Sequence, residues 1–160
     1  KNFFVIDNFY NSPGDTRKCV TYQLVDTHKT TGSYATHEIL KDFENIIGNQ
    51  LSDFEIGPTV LNGRWKCVTQ SAPGCGIVKS SFRWNAILFL TPDPPPGTGL
   101  QFYRDEHKDL NNIHIWNKTD FISNKYNRLV IFNGKIPHMN INNFGNNINS
   151  GCLFQEFKFN

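Results

Sequence analysis

One local pattern in this chain reads as metal chemistry. His107-Lys108-Asp109 is an H-x-D, and His138 lies downstream. In an extended segment, residues two apart share a face. Two imidazoles and one carboxylate are the set that leaves coordination positions open on a non-haem iron. The run from Asp105 to Asp109 also reads as a charged, solvated turn, and spacing alone favours that plainer reading. His37 sits beside Glu38 at the start of a helical pattern and reads as a surface residue. His28 and His114 have no partnering pattern. Cys152 and His138 form a conceivable thiol–imidazole pair, but neither spacing nor context supports it. There is no G-x-S-x-G, P-loop or G-x-G-x-x-G, and Gly97-Thr98-Gly99 is only three residues of loop.

Whatever these residues do must be positioned by a sheet. Short apolar runs at Phe3–Ile6, Phe54–Ile56, Trp65–Thr69, Ala86–Leu90, Leu100–Tyr103, Asn127–Phe132 and Leu153–Phe159 are separated by Gly, Pro and Asn clusters. That spacing predicts a sandwich or jelly roll. Asn133-Gly134 predicts a two-residue hairpin. Three consecutive prolines make 91–99 a stiff connection between strands. Residues 26–34 and 140–151 read as loops. Pro13-Gly14-Asp15 opens a short helix through Thr16–Tyr22. The stronger helix is Thr36–Ile47, where Ile39, Leu40, Phe43, Ile46 and Ile47 fall on one side, Thr36 caps the start and Gly48 the end. Ile39, Phe43 and Ile46 are expected to cover a sheet containing Trp65 or Val68.

The composition sets outer bounds. The chain has 160 residues, with 38% hydrophobic and 19% charged. One domain spanning 1–160, with N-terminal helical elements, is expected. No window approaches about 18 consecutive apolar residues, so no membrane span is expected. Lys1 to Asn11 lacks the small-residue pattern of a signal peptide cleavage site. A formal charge of +2 with no basic run gives no reason to expect nucleic acid. Cys19, Cys67, Cys75 and Cys152 are unevenly spaced and read as reduced thiols of a cytoplasmic-type protein. Twenty asparagines against three alanines suit a loop-rich β protein and AT-rich coding.

Two longer blocks are more specific. Trp84-Asn85-Ala86-Ile87-Leu88-Phe89-Leu90-Thr91-Pro92, then Gly97-Thr98-Gly99-Leu100-Gln101-Phe102-Tyr103-Arg104, form the first. Tyr126 through Lys135, Pro137-His138, Phe144-Gly145 and Gly151 through Phe157 form the second. With the opening Val5-Ile6-Asp7-Asn8-Phe9-Tyr10, they resemble a small prolyl-hydroxylase-like branch of the iron(II)/2-oxoglutarate-dependent oxygenases, common in marine bacteria and their phages. The resemblance covers nearly the whole chain. It implies a double-stranded β-helix, or jelly roll, mainly β with a flanking helix.

That family holds iron with an H-x-D/E on an early strand and a distal histidine on a later one, and binds 2-oxoglutarate with a late cation. By resemblance, the distal histidine falls at His138. The missing pair falls most naturally at Ile77 and Lys79, and no histidine or carboxylate occurs from Trp65 to Arg83. The cosubstrate cation falls at Cys152. One imidazole does not hold Fe(II) tightly, and a lysine at a ligand position sets a cation beside a dication. The resemblance therefore implies a non-catalytic protein without a cofactor, acting by interaction or assembly with protein partners. Its phage members imply a virion component or accessory protein, so the expected location is the cytoplasm or a virion. The competing reading is an active Fe(II)/2-oxoglutarate hydroxylase whose ligands are His138 with relocated His107 and Asp109. A sugar- or peptide-binding jelly roll is the remaining class.

Overall fold

The computed structural model describes residues 1–24, 30–33, 36–55, 62–106 and 116–160. Strand β1 (Phe3–Asp7) leads into helix α1 (Pro13–Gln23), strand β2 (Thr30–Ser33) and helix α2 (His37–Ile47). Seven strands follow: β3 (Arg64–Val68), β4 (Trp84–Phe89), β5 (Gly99–Tyr103), β6 (Lys118–Ser123), β7 (Arg128–Asn133), β8 (His138–Ile141) and β9 (Cys152–Phe159). They form a six-stranded sheet, ordered β1-β7-β4-β9-β3-β2, and a three-stranded sheet, ordered β6-β5-β8. Every pairing is antiparallel. A single bridge from Val78 to His138 extends the smaller sheet beyond β8.

Strand alternation divides the larger sheet into two faces. Trp65 and Cys67 of β3, Trp84, Ala86 and Leu88 of β4, Leu129 and Ile131 of β7, and Leu153, Phe157 and Phe159 of β9 face the helices. Ile87 and Phe89, Val130 and Phe132, and Cys152 and Phe154 face the smaller sheet, where they meet Leu100 and Phe102. Strands buried on both faces lose the alternating pattern, which is why β4 reads as a continuous apolar run.

Helix α2 forms as its caps require. The Thr36 hydroxyl accepts the Ile39 amide at 3.2 Å, and Gly48 ends the helix in a left-handed conformation that donates back to the Glu44 carbonyl. Its buried face, Ile39 and Phe43, packs in the same cluster as Trp65. Val68 lies on the opposite face, against the interior between the sheets. The 91–98 connection is stapled to β9: the Thr91 hydroxyl donates to the Gly151 carbonyl and accepts the Leu153 amide. Asp7 closes β1 onto Lys125 and Arg128, and those two cations hold its carboxyl well below the usual carboxylate range.

Several local expectations are corrected. Residues 30–33 form β2, not loop. Phe54 and Glu55 are not strand; Phe54 is a ring in the helix-side core, 5.7 Å from Phe43, and Ile56 lies outside the described residues. Asn133-Gly134 does not make a two-residue hairpin. A turn over Asn133–Ile136, closed by the Ile136 amide on the Asn133 carbonyl, carries the chain from the larger sheet to the smaller one, so the flanking strands do not pair. Strands β6 and β8 arise where loop or nothing was expected.

Candidate functional site

His138 opens β8 and is 7% exposed. Its backbone exchanges both hydrogen bonds with Val78, N–H to O, at 2.9 and 3.0 Å. Directly opposed residues of an antiparallel pair project to the same face. His138 also opposes Phe102 on β5. All three therefore project to the inner side of the smaller sheet, with Val78 at its open edge, 46% exposed, and the buried imidazole meeting the Phe132 ring edge-on at 4.8 Å.

The imidazole is preset in one tautomer. Nδ1 lies 2.8 Å from the Ile136 carbonyl, which can only accept, so Nδ1 carries the proton and Nε2 keeps its lone pair. Burial pushes the imidazole pKa down, against a weaker upward pull from that carbonyl. A folded pKa below the unfolded value of about 6.5 means the unfolded chain binds the proton first. Stability contributed by neutral His138 is therefore complete above that value and declines as pH falls through it toward the folded pKa. Urea midpoints measured from about pH 7 to pH 5 should fall, and the His138→Asn variant should show a flatter decline over the same window.

The Val78 pairing corrects the expected ligand positions. Ile77 and Lys79 flank Val78, so they project to the other face. Ile77 is 2% exposed in a cluster with Tyr103, Trp116 and Met139. Lys79 places Nζ 2.7 Å from Asp105. The residues that share a face with His138 on this segment are Val78 and, by period two, Gly76 and Ser80. Neither Gly76 nor Val78 has a ligating side chain. Among the described residues, no three His, Cys, Asp or Glu side chains are grouped so as to hold a metal ion. The described donors therefore do not fit a three-ligand iron centre. His107 and Asp109 lie outside the described residues, so their relation to His138 is not part of this geometry.

Cys152, at the position the resemblance assigns to a cation, does face the interior. It is fully buried and opposes Val68. Burial pushes its thiol far up, and Asn124 Nδ2 donates to its sulfur at 3.5 Å. Around it, Asn124 also donates to Asn142 Oδ1 at 2.8 Å. The interior it shares with His138's neighbours is filled by Phe89, Leu100, Phe102, Phe132 and Phe154. All four cysteines are free thiols, Cys19 and Cys75 exposed, Cys67 and Cys152 buried.

A pocket of about 560 Å³ opens on the same interior face of the larger sheet. Arg64 and Lys66 of β3 and Glu156 and Lys158 of β9 form its floor, with Phe82 as a wall and Asp53 and Glu55 also lining it. Arg64 opposes Glu156, and Lys158 opposes Asn85, which in turn opposes Phe132, the ring that touches His138. The charges of Glu156 and Lys158 are both felt at His138. No sequence signal marked this pocket, because its floor pairs Arg64 with the distant Glu156 and carries no local motif.

The arrangement of the two sheets has a known counterpart. A prolyl hydroxylase from Trichoplax adhaerens, solved in complex with a hypoxia inducible factor oxygen degradation domain peptide fragment, superposes with a TM-score of 0.56 at 16% identity. The match covers 99% of this chain and 83% of that one. The fold is a double-stranded β-helix. No protein-family model matches the sequence, and no curated protein matches it. Within this jelly roll, β3, β9, β4 and β7 make one wall, and the Val78 segment, β8, β5 and β6 make the other. His138 thus sits on the inner side of the smaller wall and Cys152 on the inner side of the larger. Among the described residues no helix is long and apolar enough to cross a membrane.

Proposed function

We propose that this chain is a non-catalytic protein on the prolyl-hydroxylase fold, acting through protein partners or within a larger assembly, of which a virion is one. The observation that carries the reading is the pairing of Val78 with His138. It sets a valine, flanked on that face by Gly76 and Ser80, where iron ligands would have to converge. Cys152 supports it from the other wall. A buried neutral thiol among asparagines and phenyl rings offers no charged clamp to a dicarboxylate. A fold does not carry its chemistry without its site.

The competing reading, an Fe(II)/2-oxoglutarate hydroxylase with relocated ligands, is favoured by one feature: the tautomer that leaves His138 Nε2 as a donor pair. Under it, His107 and Asp109 would complete the set. Anaerobic titration with Fe(II) and 2-oxoglutarate, followed by admission of oxygen and succinate detection, separates the two. The expected result is no stoichiometric iron binding and no succinate above the protein-free control. Stoichiometric binding at micromolar iron with steady succinate release would overturn the proposal. Separate His138, His107 and Asp109 variants would then locate the relocated triad.

A further inference from the structure

We infer that two copies of this chain pair through the open edge of β1, antiparallel, about a twofold axis at Val5. Strand β1 ends the larger sheet and, among the described strands, pairs with β7 alone. The Asn133 amide donates to the Asn2 carbonyl at 2.9 Å, in register with that ladder. Antiparallel bonding alternates, so Phe4 and Ile6 exchange their backbone bonds with Ile131 and Leu129. The amides and carbonyls of Phe3, Val5 and Asp7 point the other way, to the open side. A row of this kind is a template for another strand. The other sheet edges carry features that discourage pairing. Strand β6 has Lys118, Asp120 and a register shift against β5. Strand β2 has a register shift against β3, and the segment beyond β8 is bridged at Val78 alone and followed by Lys79. Strand β1 runs in unbroken register over five residues and has no charge before Asp7, whose carboxylate is held by Lys125 and Arg128.

The strand suits a second copy of itself. A twofold axis opposes each residue to its symmetry mate, so the surface must be self-complementary. With Val5 on the axis, Phe3, Val5 and Asp7 oppose Asp7, Val5 and Phe3 of the second copy. Every open amide on one strand then meets an open carbonyl on the other. The exposed Val5 is covered by its own counterpart, and the half-buried Phe4 opposes the half-buried Ile6. Charge selects this register over its neighbours. An axis at Phe4 would set Lys1 against Asp7, a third cation on a carboxylate that already holds two. An axis at Ile6 would shorten the overlap and bring together the two clusters of Asp7, Lys125 and Arg128, each with more cations than carboxylates. One short edge buries less than about 1,200 Å² in total, which suits a weak, reversible dimer with a Kd of about 10–100 μM.

Sedimentation velocity on the wild-type chain, from about 5 to 500 μM, should show a monomer–dimer equilibrium. Reductant is kept present, since Cys19 and Cys75 are exposed thiols. In hydrogen exchange over the same range, the amides of Phe3, Val5 and Asp7 should gain protection with concentration. Those of Phe4 and Ile6, already bonded to β7, should change little. Val5→Lys sets two ammonium groups face to face on the axis and should raise the Kd at least about tenfold. Val5→Pro removes one open amide while leaving the β7 bonds in place, and should act in the same direction. Phe121→Lys, on the β6 edge, is the control and should leave the Kd unchanged. Circular dichroism establishes that each variant is folded, and Val5→Lys carries the test if the proline variant is not. A monomer at about 500 μM would overturn the inference. So would a dimer indifferent to Val5→Lys, a dimer lost with Phe121→Lys, or protection gained at Phe4 and Ile6 instead. None of these readouts depends on iron or turnover. Failure here leaves the non-catalytic reading standing, and succinate release would leave the β1 pairing standing.

Discussion

Replacing Phe43 with alanine is expected to remove about 3–5 kcal/mol of unfolding free energy. The ring is fully buried and is the point where the helix layer meets the larger sheet. Its centroid lies 5.0 Å from Phe157 and 5.5 Å from Phe159, both on the final strand, 5.7 Å from Phe54 and 6.2 Å from Phe9. Four rings from three separate stretches of chain converge on it, so truncation leaves a cavity that none of them can fill without moving a backbone. Edge-on contacts to Phe157 and Phe54 add to the area term. Tyr22→Ala is the matched control: that ring is 92% exposed, and its loss should stay within about 0.5 kcal/mol. Urea titration of both variants gives the comparison. A loss below about 1 kcal/mol for Phe43→Ala would mean that α2 does not anchor to this sheet.

What made α2 legible was a stripe of apolar residues at helical period between a capping threonine and a glycine, all of it local. Strands β1, β3, β4, β5, β7 and β9 were legible because burial on one or both faces writes itself into apolar runs. Strand β6 was not, since nearly every residue of it is exposed and no alternation exists to read. Strand β8, with His138, Met139, Asn140 and Ile141, looks like the start of an Asn-rich loop, and its strand character comes from pairing with β5. Asn133-Gly134 marks a reversal correctly, but the dipeptide cannot say which sheet receives the next strand. That depends on Phe132 and His138 meeting across the interior, a contact between the two walls.

The candidate site shows the same division more sharply. His138 could be found from the blocks around it. The residues facing it could not be phased, because the stretch from Ser71 to Arg83 contains only one bridged residue and has no alternation of its own. With a period of two, a slip of one residue exchanges the two faces entirely. Ile77 and Lys79 against Gly76 and Val78 is that slip. It changes what each side chain is for: Ile77 becomes part of an outer cluster with Tyr103 and Trp116, and Lys79 a surface ion pair with Asp105.

That register makes a second large effect available by design. Gly76→His combined with Val78→Asp should make the chain retain a divalent metal stoichiometrically, well above the wild-type level. The two new side chains would share a face with His138, because Val78 and His138 are directly opposed and Gly76 lies one period away. Two imidazoles and a carboxylate on one face are a recognised three-ligand set, and the His138 tautomer already presents Nε2 as its donor. Both substituted positions are exposed, Val78 at 46%, so neither change opens a cavity. Cobalt(II) is the probe, read by its visible absorbance and by retention after desalting. Adding His138→Gln to the double variant should abolish retention. Ile77→His with Lys79→Asp, which places the same two residue types on the opposite face, should retain no more than wild type, with thermal unfolding used to establish that it is folded. Retention by that second pair but not the first would place Ile77 and Lys79 on the interior after all. The Val78 pairing, and the account of the site built on it, would then be wrong.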